Sequence, residues 1–474
     1  MLSAGQSLAG AESEVTAVER FQFISIQAPD DPKDQATRRL ARSHAVKQAL
    51  ENKRKIQRES RDNFRVMTPQ DRVGRFVRKR THTRTVVTSP FSLSVGTLDP
   101  FQTLAVNSSR LQTLLHDYEA RQSLEPVFNI AEHFTFQSFH TVFQTSFVDP
   151  ALMSAVMHSL AFAVAGGGTN REYLGYKGRT FSYVRERMSS PSAATSESTI
   201  GAILLLAGVD ARLGMTSQVQ LHLGAVHQLL NICDTEGVCL TDGIKRAIFW
   251  QDLNASILSG SSRIVDHTTF PGLQWKRDRS SPSIFRLPPG FQMRSHLLTE
   301  EFIEVLEDLH ALQYYRNAIP PKRCNVLLME DFNNHSASIQ SRLAGLPNLS
   351  PVMSCCHLAA YLCSVMLGCK VWCAPVIPSH ISLQLLRELQ QASEDPVWDS
   401  HPDLLLWLLY SGGGFAPTGI VRSDYIALLR LNNASRFQDL YKSWPELHEI
   451  MKQFIWSDKA FATPVKALWE EALA

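Results

Sequence analysis

Three consecutive apolar patterns between about Thr195 and Ala255 constrain the fold of this chain most strongly. The first repeats at i, i+3, i+4 and i+7, the spacing of one face of an α-helix, and two similar patterns follow it: Ile200, Ile203, Leu204 and Ala207; Val219, Leu223, Val226, Leu229 and Leu230; Ile244, Ala247, Ile248, Leu253 and Ile257. Each apolar face is too wide to remain in water. The sequence therefore predicts three packed helices at the centre of an all-helical core.

Helical spacing continues on both sides of this trio, and no alternation of strands and helices is present. Ser108 or Ser109 can cap a first helix, and Pro150 can begin a second that stops at Gly166–Gly168. Gly412–Gly414 is also interpreted as a helix stop. Further helices are predicted at Ser336–Leu343, Met353–Trp372, Ser382–Ala392, Asp403–Tyr410, Ser423–Leu431, Ser443–Ser457 and Pro464–Leu473. The fold class is all-α: a large multi-helix domain with an N-terminal basic helical arm.

The predicted domain organisation has three parts. Residues 1–33 are a disordered or short docking segment, residues 34–90 are a basic arm and linker, and residues 91–474 form the helical domain. Within that domain, Ser259–Gln292 is a long connection broken by prolines, and long connections are either functional or disordered. Met353–Trp372 has the length of a membrane span, which needs about 20 apolar residues. Because it contains His357 and Lys370, we expect a buried core helix instead.

A basic segment is the one charged feature that stands out from the rest of the chain. Arg38–Arg84 contains 16 Lys and Arg against 4 Asp and Glu, a surplus of 12, so a chain of net charge +2 carries −10 elsewhere. Such a segment fits a nuclear import receptor or DNA phosphates as its partner, and a solvated helix with a linker is the alternative. The candidate contact residues are Lys53, Arg54, Lys55, Arg75, Arg78, Lys79, Arg80 and Arg84.

Motifs for catalysis, phosphate binding or metal binding are missing from the sequence. There is no G-x-S-x-G, no H-E-x-x-H and no P-loop, so no catalytic residue and no cofactor is assigned. None of the 8 cysteines forms the C-x2-C pair of a structural zinc site. Cys369 and Cys373 lie one helical turn apart, but no second ligand pair is apparent. We therefore expect packed thiols, no metal and no enzymatic activity.

Several stretches in order along the chain resemble fungal-specific transcription factors of the zinc binuclear-cluster type, in their C-terminal regulatory domain. The motifs that carry the resemblance are Phe21-Gln-Phe-Ile24, Arg38-Arg39, Arg42-Ser-His-Ala45, Leu98-Asp-Pro-Phe101, Leu114-Leu-His-Asp-Tyr118, His222-Leu-Gly-Ala225, Ala247-Ile-Phe-Trp250, Asp252-Leu253, Leu404-Leu-Leu-Trp407, Gly412-Gly413, Phe454-Ile-Trp456 and Leu468-Trp-Glu470. The six closely spaced cysteines of the zinc cluster are absent.

This resemblance implies a nuclear regulator of transcription, controlling a fungal pathway or a secondary-metabolite gene cluster. Its helical domain would bind partner proteins or a small effector, with transcriptional co-regulators as partners and no membrane association. The basic segment would supply nuclear import or DNA contact. The alternative is a helical scaffold or effector-binding module without a transcriptional role.

Overall fold

The computed structural model describes residues 105–116, 149–277, 282–318, 326–346, 350–368 and 376–474, which all belong to one unit, Val86–Ala474. These residues form seventeen α-helices and three short 3-10 helices, and no strand occurs among them. The predicted all-α class is confirmed for this part of the chain. The segments 1–33 and 34–90, including the predicted basic helical arm, lie outside the described residues.

The helices fall into two groups along the chain. The first seven are α1 Ser108–His116, α2 Pro150–Val164, α3 Arg171–Arg187, α4 Pro191–Ala194, α5 Glu197–Arg212, α6 Thr216–Glu236 and α7 Asp242–Ser259. The other ten are α8 Pro289–Gln292, α9 Glu300–Ala318, α10 Val326–Gly345, α11 Pro351–Leu367, α12 Val376–Gln391, α13 Val397–Ser400, α14 Pro402–Gly414, α15 Ile420–Ser435, α16 Trp444–Met451 and α17 Asp458–Leu473. The 3-10 helices are Pro271–Leu273, Pro282–Ile284 and Ser295–Leu297.

Helix α5 is the centre of the first group, whose buried side chains, mainly from Leu111 to Leu273, we name the N-terminal core. Every residue from Thr199 to Ala211 is buried, because α2, α6 and α7 all pack on α5. A helix enclosed on all sides needs no polar face. Each large aliphatic side chain buried here contributes about 1.5–3 kcal/mol. The predicted trio of helices is confirmed as α5, α6 and α7.

A second and larger hydrophobic cluster, the C-terminal core, contains the buried side chains from Leu287 to Leu468. Helix α14 is its centre: Leu404–Gly414 is continuously buried under α11, α12, α15 and α17. The predicted trio therefore organises one of two cores and not the whole domain. Local periodicity identifies apolar faces, but it cannot show which faces share a cluster.

Side-chain caps explain where several helices begin. Asp149 Oδ1 accepts hydrogen bonds from the Ala151 and Leu152 amides, both at 3.0 Å, so α2 begins at Pro150 as predicted. The prediction that Ser108 or Ser109 caps α1 is wrong. The Arg110 amide donates to Asn107 Oδ1 at 2.8 Å, one residue earlier than expected.

The glycine triplets differ in their roles. Gly166 and Gly167 follow α2 with φ of 60° and 81°, a left-handed conformation that ends a helix, as predicted. Gly412–Gly414 was expected to stop a helix after Tyr410, but it forms the last turn of α14 itself. The glycines are needed there for close packing: a Cβ on Gly414 would lie 2.9 Å from Cγ2 of Val465 in α17.

Several helix ends near the C-terminus differ from the prediction. Helix α16 stops at Met451 and not at Ser457, because Phe454, Ile455 and Trp456 are buried in a turn. Helix α17 begins at Asp458 and contains Pro464 in its interior, where the packing of neighbouring apolar side chains overrides the local cost of proline.

The predicted core helix at Met353–Trp372 is found as α11, Pro351–Leu367, buried in the C-terminal core. None of the helices in the described ranges combines the length and the hydrophobicity that a bilayer crossing requires. The long connection Ser259–Gln292 contains no long helix where it is described; its parts are two 3-10 turns and α8. This connection leads from the N-terminal core to the C-terminal core.

Candidate functional site

A cavity of about 530 Å³ lies where the long connection meets two helices of the second group. The connection supplies one wall through residues 263–267, the first turns of α9 supply another, and the last turns of α10 supply the third. Val265 belongs to the N-terminal core and Val305 to the C-terminal core, so both cores contribute to the lining. The lining residues are Arg263, Val265, Asp266, His267, Glu301, Glu304, Val305, Ser341, Arg342, Ala344, Gly345 and Leu346.

Arg263 is held at the cavity by a buried carboxylate of α7. Its Nε donates to Asp252 Oδ2 at 3.0 Å, and its Nη1 donates to Ser341 Oγ at 3.0 Å. Asp252 is fully buried, and its Oδ1 also accepts from the Ile264 amide at 3.0 Å. Burial raises the pKa of the Asp252 carboxyl, and the Arg263 guanidinium opposes this. The pair fixes the start of the connection to both α7 and α10.

One nitrogen of Arg263 is left without a partner. Its Nη2 is buried and makes no hydrogen bond within the described part of the chain. A guanidinium nitrogen can only donate, so this group lacks an acceptor. A buried donor without an acceptor costs about 1–3 kcal/mol.

A second arginine, Arg342, is fixed by the buried carboxylate of Asp308 in α9. Arg342 Nη2 donates to Asp308 Oδ2, and Arg277 Nε donates to Asp308 Oδ1 at 2.6 Å. Burial raises the pKa of Asp308, against the lowering effect of both guanidinium groups. Glu304 Oε1 lies 3.8 Å from Arg342 Nη1 and 3.8 Å from Arg277 Nη2, at ion-pair distance only. These ion pairs and hydrogen bonds hold the long connection against α9 and α10 near the cavity.

Local hydrogen bonds hold the conformation of the loop that carries His267. Asp266 Oδ1 accepts from the amides of Thr268 at 2.7 Å and Thr269 at 3.0 Å, an Asx turn that fixes the chain direction. Burial lowers the pKa of the His267 imidazole, so the ring is neutral near pH 7. Its Nδ1 is buried and has no hydrogen-bond partner among the described residues.

Acidic and apolar residues of α9 also line the cavity. Glu301 is exposed in the first turn of α9, and no partner for its carboxylate occurs in the described ranges. Val305 follows one turn later on the same face of α9 and is buried. Val265 and Leu346 also line the cavity.

A further buried polar cluster lies in the N-terminal core, away from the cavity. The fully buried Asp210 of α5 accepts from Lys177 Nζ at 2.5 Å and lies 3.2 Å from His222 Nε2. Hydrogen bonds to His222 and Lys177 lower the pKa of Asp210, although desolvation opposes them. These contacts satisfy both oxygens of the carboxylate. The cluster therefore links α3, α5 and α6, and we assign it a structural role.

The thiols of α11 are packed in the C-terminal core. Cys355, Cys356 and Cys363 are buried and unpaired. Burial raises the pKa of Cys356 to about 12, and it also raises the pKa values of Cys355 and Cys363. Protonated thiols are poor nucleophiles and poor metal ligands. Within the ranges that the structure describes, no three His, Cys, Asp or Glu side chains converge as a metal site.

The sequence-predicted contact residues cannot be placed in this arrangement. All eight, from Lys53 to Arg84, lie outside the described residues. The cavity residues were not singled out in the sequence, because they come from three separate segments. The one signal was the long proline-broken connection that supplies Arg263, Asp266 and His267.

Comparisons with known proteins give no relative for this chain. No protein-family model matches it, no curated protein matches it, and no solved structure matches its fold.

Proposed function

We propose that this chain is a nuclear regulator of transcription whose helical domain senses a small effector. The motifs that follow one another along the chain from Phe21 to Glu470 support this proposal, because they resemble those of fungal-specific transcription factors in their regulatory domain. The helical class of the described residues is consistent with such a domain. By the same resemblance, the regulated genes form a fungal pathway or a secondary-metabolite cluster.

The cavity between the two cores is the observation that carries the proposal. A ligand in the cavity would bind next to groups of both cores, because Val265 belongs to the N-terminal core and Val305 to the C-terminal core. Such a ligand changes the relative free energies of the arrangements that the two cores can adopt, if it binds one arrangement more tightly. The concentration of the metabolite would then determine which arrangement the helical domain adopts, and with it the surface that partner proteins contact.

The basic segment supplies the second part of the proposed function. Its surplus of 12 positive charges over Arg38–Arg84 fits an import receptor, and it also fits DNA phosphates. Transcriptional co-regulators bound to the helical domain would contribute to the recognition of the target genes. The nucleus is accordingly the proposed location.

A scaffold or effector-binding module without a transcriptional role is the second candidate. Its basis is that the resemblance covers the helical regulatory domain of those proteins and not their zinc cluster. Both candidates include a ligand in the cavity, but only the first predicts that the protein controls transcripts.

Deletion of the basic segment distinguishes these candidates. We expect a tagged protein that lacks Arg38–Arg84 to leave the nucleus and to change the same transcripts as deletion of the gene. The matched control replaces three exposed basic residues of the helical domain by alanine: Arg171, Lys276 and Lys442. This control protein stays nuclear and active. Nuclear location and unchanged transcripts after the deletion contradict the proposed function.

A further inference from the structure

Helix α3 carries a line of exposed apolar side chains. Leu174, Phe181 and Met188 follow one another at intervals of seven residues, which is nearly two turns of an α-helix, and they are 57%, 39% and 42% exposed. Met188 directly follows α3 and keeps the helical conformation. The line is about 21 Å long, because each helical residue adds about 1.5 Å. Apolar residues at this interval are typical of a helix that packs along a second helix.

Phe181, in the middle of the line, is oriented by two neighbours. Its ring stacks on the imidazole of His222 in α6, with the ring centroids 5.8 Å apart. Lys177 Nζ lies 6.0 Å from the centroid of the Phe181 ring, and its ion pair with Asp210 holds it there. Leu221, which precedes His222 in α6, is 71% exposed. An exposed side chain whose orientation is already fixed loses little conformational entropy when a partner binds.

The charges next to this line are positive. On a helix surface, the neighbours of a residue are the residues three and four positions away. For Phe181 these include Lys177 before it and Arg185 after it, and Arg185 is also three positions from Met188. No Asp or Glu of α3 lies three or four positions from Leu174, Phe181 or Met188. Arg185 is exposed and makes no ion pair within the described part of the chain.

From this arrangement we infer that α3 binds an acidic amphipathic helix of a partner protein. We name the binding residues, Leu174, Lys177, Phe181, Arg185 and Met188, the α3 surface. The apolar side of a partner helix of about four turns would cover the apolar line, and its carboxylates would pair with the cations beside the line. The inference deepens the proposed function, because it gives the chemistry of a transcriptional co-regulator, and it rests on that function for its meaning in the cell.

Other occupants match the α3 surface less well. A second copy of this chain would bring the same positive charges of two α3 helices together, and like charges across an interface repel each other. A nucleic acid would pair its phosphates with the cations, but its backbone would leave the apolar line uncovered. An acidic amphipathic helix matches both the charge and the apolar line.

Binding of synthetic peptides to the purified full chain tests the class of partner. The first peptide is an amphipathic helix of about four turns, with leucine along one side and glutamate on the other. In the second peptide lysine replaces each glutamate, and in the third alanine replaces each leucine. Fluorescence anisotropy should show at least roughly tenfold tighter binding of the first peptide, because each of the others lacks one required group. The third peptide also measures attraction to the basic segment, since it keeps every negative charge.

Four outcomes overturn the inference. The first peptide does not bind, or one of the other two binds as tightly as it does. Phosphatidylserine vesicles bind the chain and lose this binding with Leu174→Gln, which assigns the α3 surface to a membrane. The wild-type chain forms a dimer that Leu174→Gln converts to a monomer, which assigns it to a second copy.

Two pairs of substitutions test the location of the peptide. Arg185→Glu should weaken binding of the first peptide by about fivefold or more. Arg179→Glu is its control, because Arg179 is also exposed in α3 but lies two residues from Phe181, on the opposite side of the helix. Leu174→Gln should also weaken binding, and Leu431→Gln, at an exposed position of α15, is its control. All four variants should keep the wild-type circular dichroism spectrum. Equal affinity within either pair contradicts the proposed location.

Failure of this inference differs from failure of the proposed function. Binding of the acidic helix to a protein that controls no transcript contradicts the transcriptional role alone. Control of transcripts by a protein that does not bind the acidic helix contradicts the class of partner alone.

Discussion

Tyr425 of α15 lies directly against Gly412 of α14, so that a Cβ atom on Gly412 would come within 2.6 Å of Cζ of the tyrosine ring. Tyr425 is completely buried, and its hydroxyl donates to the carbonyl of Ser382 at 2.8 Å. Ser382 Oγ in turn donates to the carbonyl of Gly412 at 2.9 Å. Three helices of the C-terminal core are therefore joined at a contact that only glycine permits.

Replacement of Gly412 by alanine should destabilise the protein by about 1–3 kcal/mol, because the buried tyrosine has no space to move away. Chemical denaturation monitored by circular dichroism measures the change. Gly178→Ala in α3 is the matched control: a Cβ there meets open space, and alanine favours a helix by about 0.5–1 kcal/mol. A Gly412→Ala protein as stable as the Gly178→Ala protein contradicts the described packing.

Two buried histidines should make the protein sensitive to mild acid. Burial lowers the pKa of His335 from 6.5 to about 3 and that of His158 from 6.5 to about 4. Both folded-state values lie below the unfolded value, so the unfolded chain binds protons first as the pH falls. The stability that the neutral rings contribute is complete above pH 6.5 and is lost progressively down to the folded values.

The measurement is the free energy of unfolding at pH 7.0 and at pH 5.5. Each of these histidines should reduce it by about 1 kcal/mol over this interval. His335→Phe keeps the stacking on Trp275, where the ring centroids lie 3.8 Å apart, and should remove one half of their combined effect. His227→Phe changes an exposed residue and should leave the pH difference as it is. Identical pH dependence of His335→Phe and the wild type excludes this explanation.

Asp252 should be among the acidic residues that stability depends on most. Its carboxylate is fully buried, and it pairs with Arg263 and the connection backbone. Asp252→Asn leaves the guanidinium without its counter-charge, so we expect a loss of about 3 kcal/mol in thermal or chemical unfolding. Asp439→Asn, at an exposed position, should change stability by less than about 0.5 kcal/mol. Equal effects of the two substitutions are incompatible with the buried pair.

Thiol labelling should separate exposed from buried cysteines. Cys239 is exposed, whereas Cys355, Cys356 and Cys363 are buried in α11. Burial also keeps the α11 thiols protonated, which suppresses their reaction further. We expect iodoacetamide to modify Cys239 quickly in the native protein and the α11 cysteines only after denaturation, as measured by peptide mass spectrometry. Fast native labelling of Cys356 would show that α11 is not in the core.

The sequence was sufficient to predict a helix where the apolar face or the residues at the N-terminus of the helix define it. The spacing of Ile200, Ile203 and Leu204 was sufficient for α5, and the start at Pro150 was correct for α2. The predictions were wrong where contacts between helices determine the local structure. Gly412–Gly414 continues a helix because Tyr425 and Val465 need the space, and Pro464 is tolerated inside α17 because its neighbours are buried.

The candidate site was less predictable than the helices. Arg263, Glu301 and Arg342 are far apart in the sequence, and each resembles an ordinary surface residue. The two arginines are held by buried carboxylates, Asp252 and Asp308, which lie within helical patterns that give no sign of a site. Only the packing of the long connection against α9 and α10 brings them together.

Chromatin occupancy of the tagged protein tests the central claim, that this chain regulates transcription through its basic segment and helical domain. We predict occupancy at discrete genomic regions next to genes whose transcripts change when the gene is deleted, and loss of that occupancy when Arg38–Arg84 is removed. A uniform background signal from the intact protein, equal to that of the truncated one, would contradict the account.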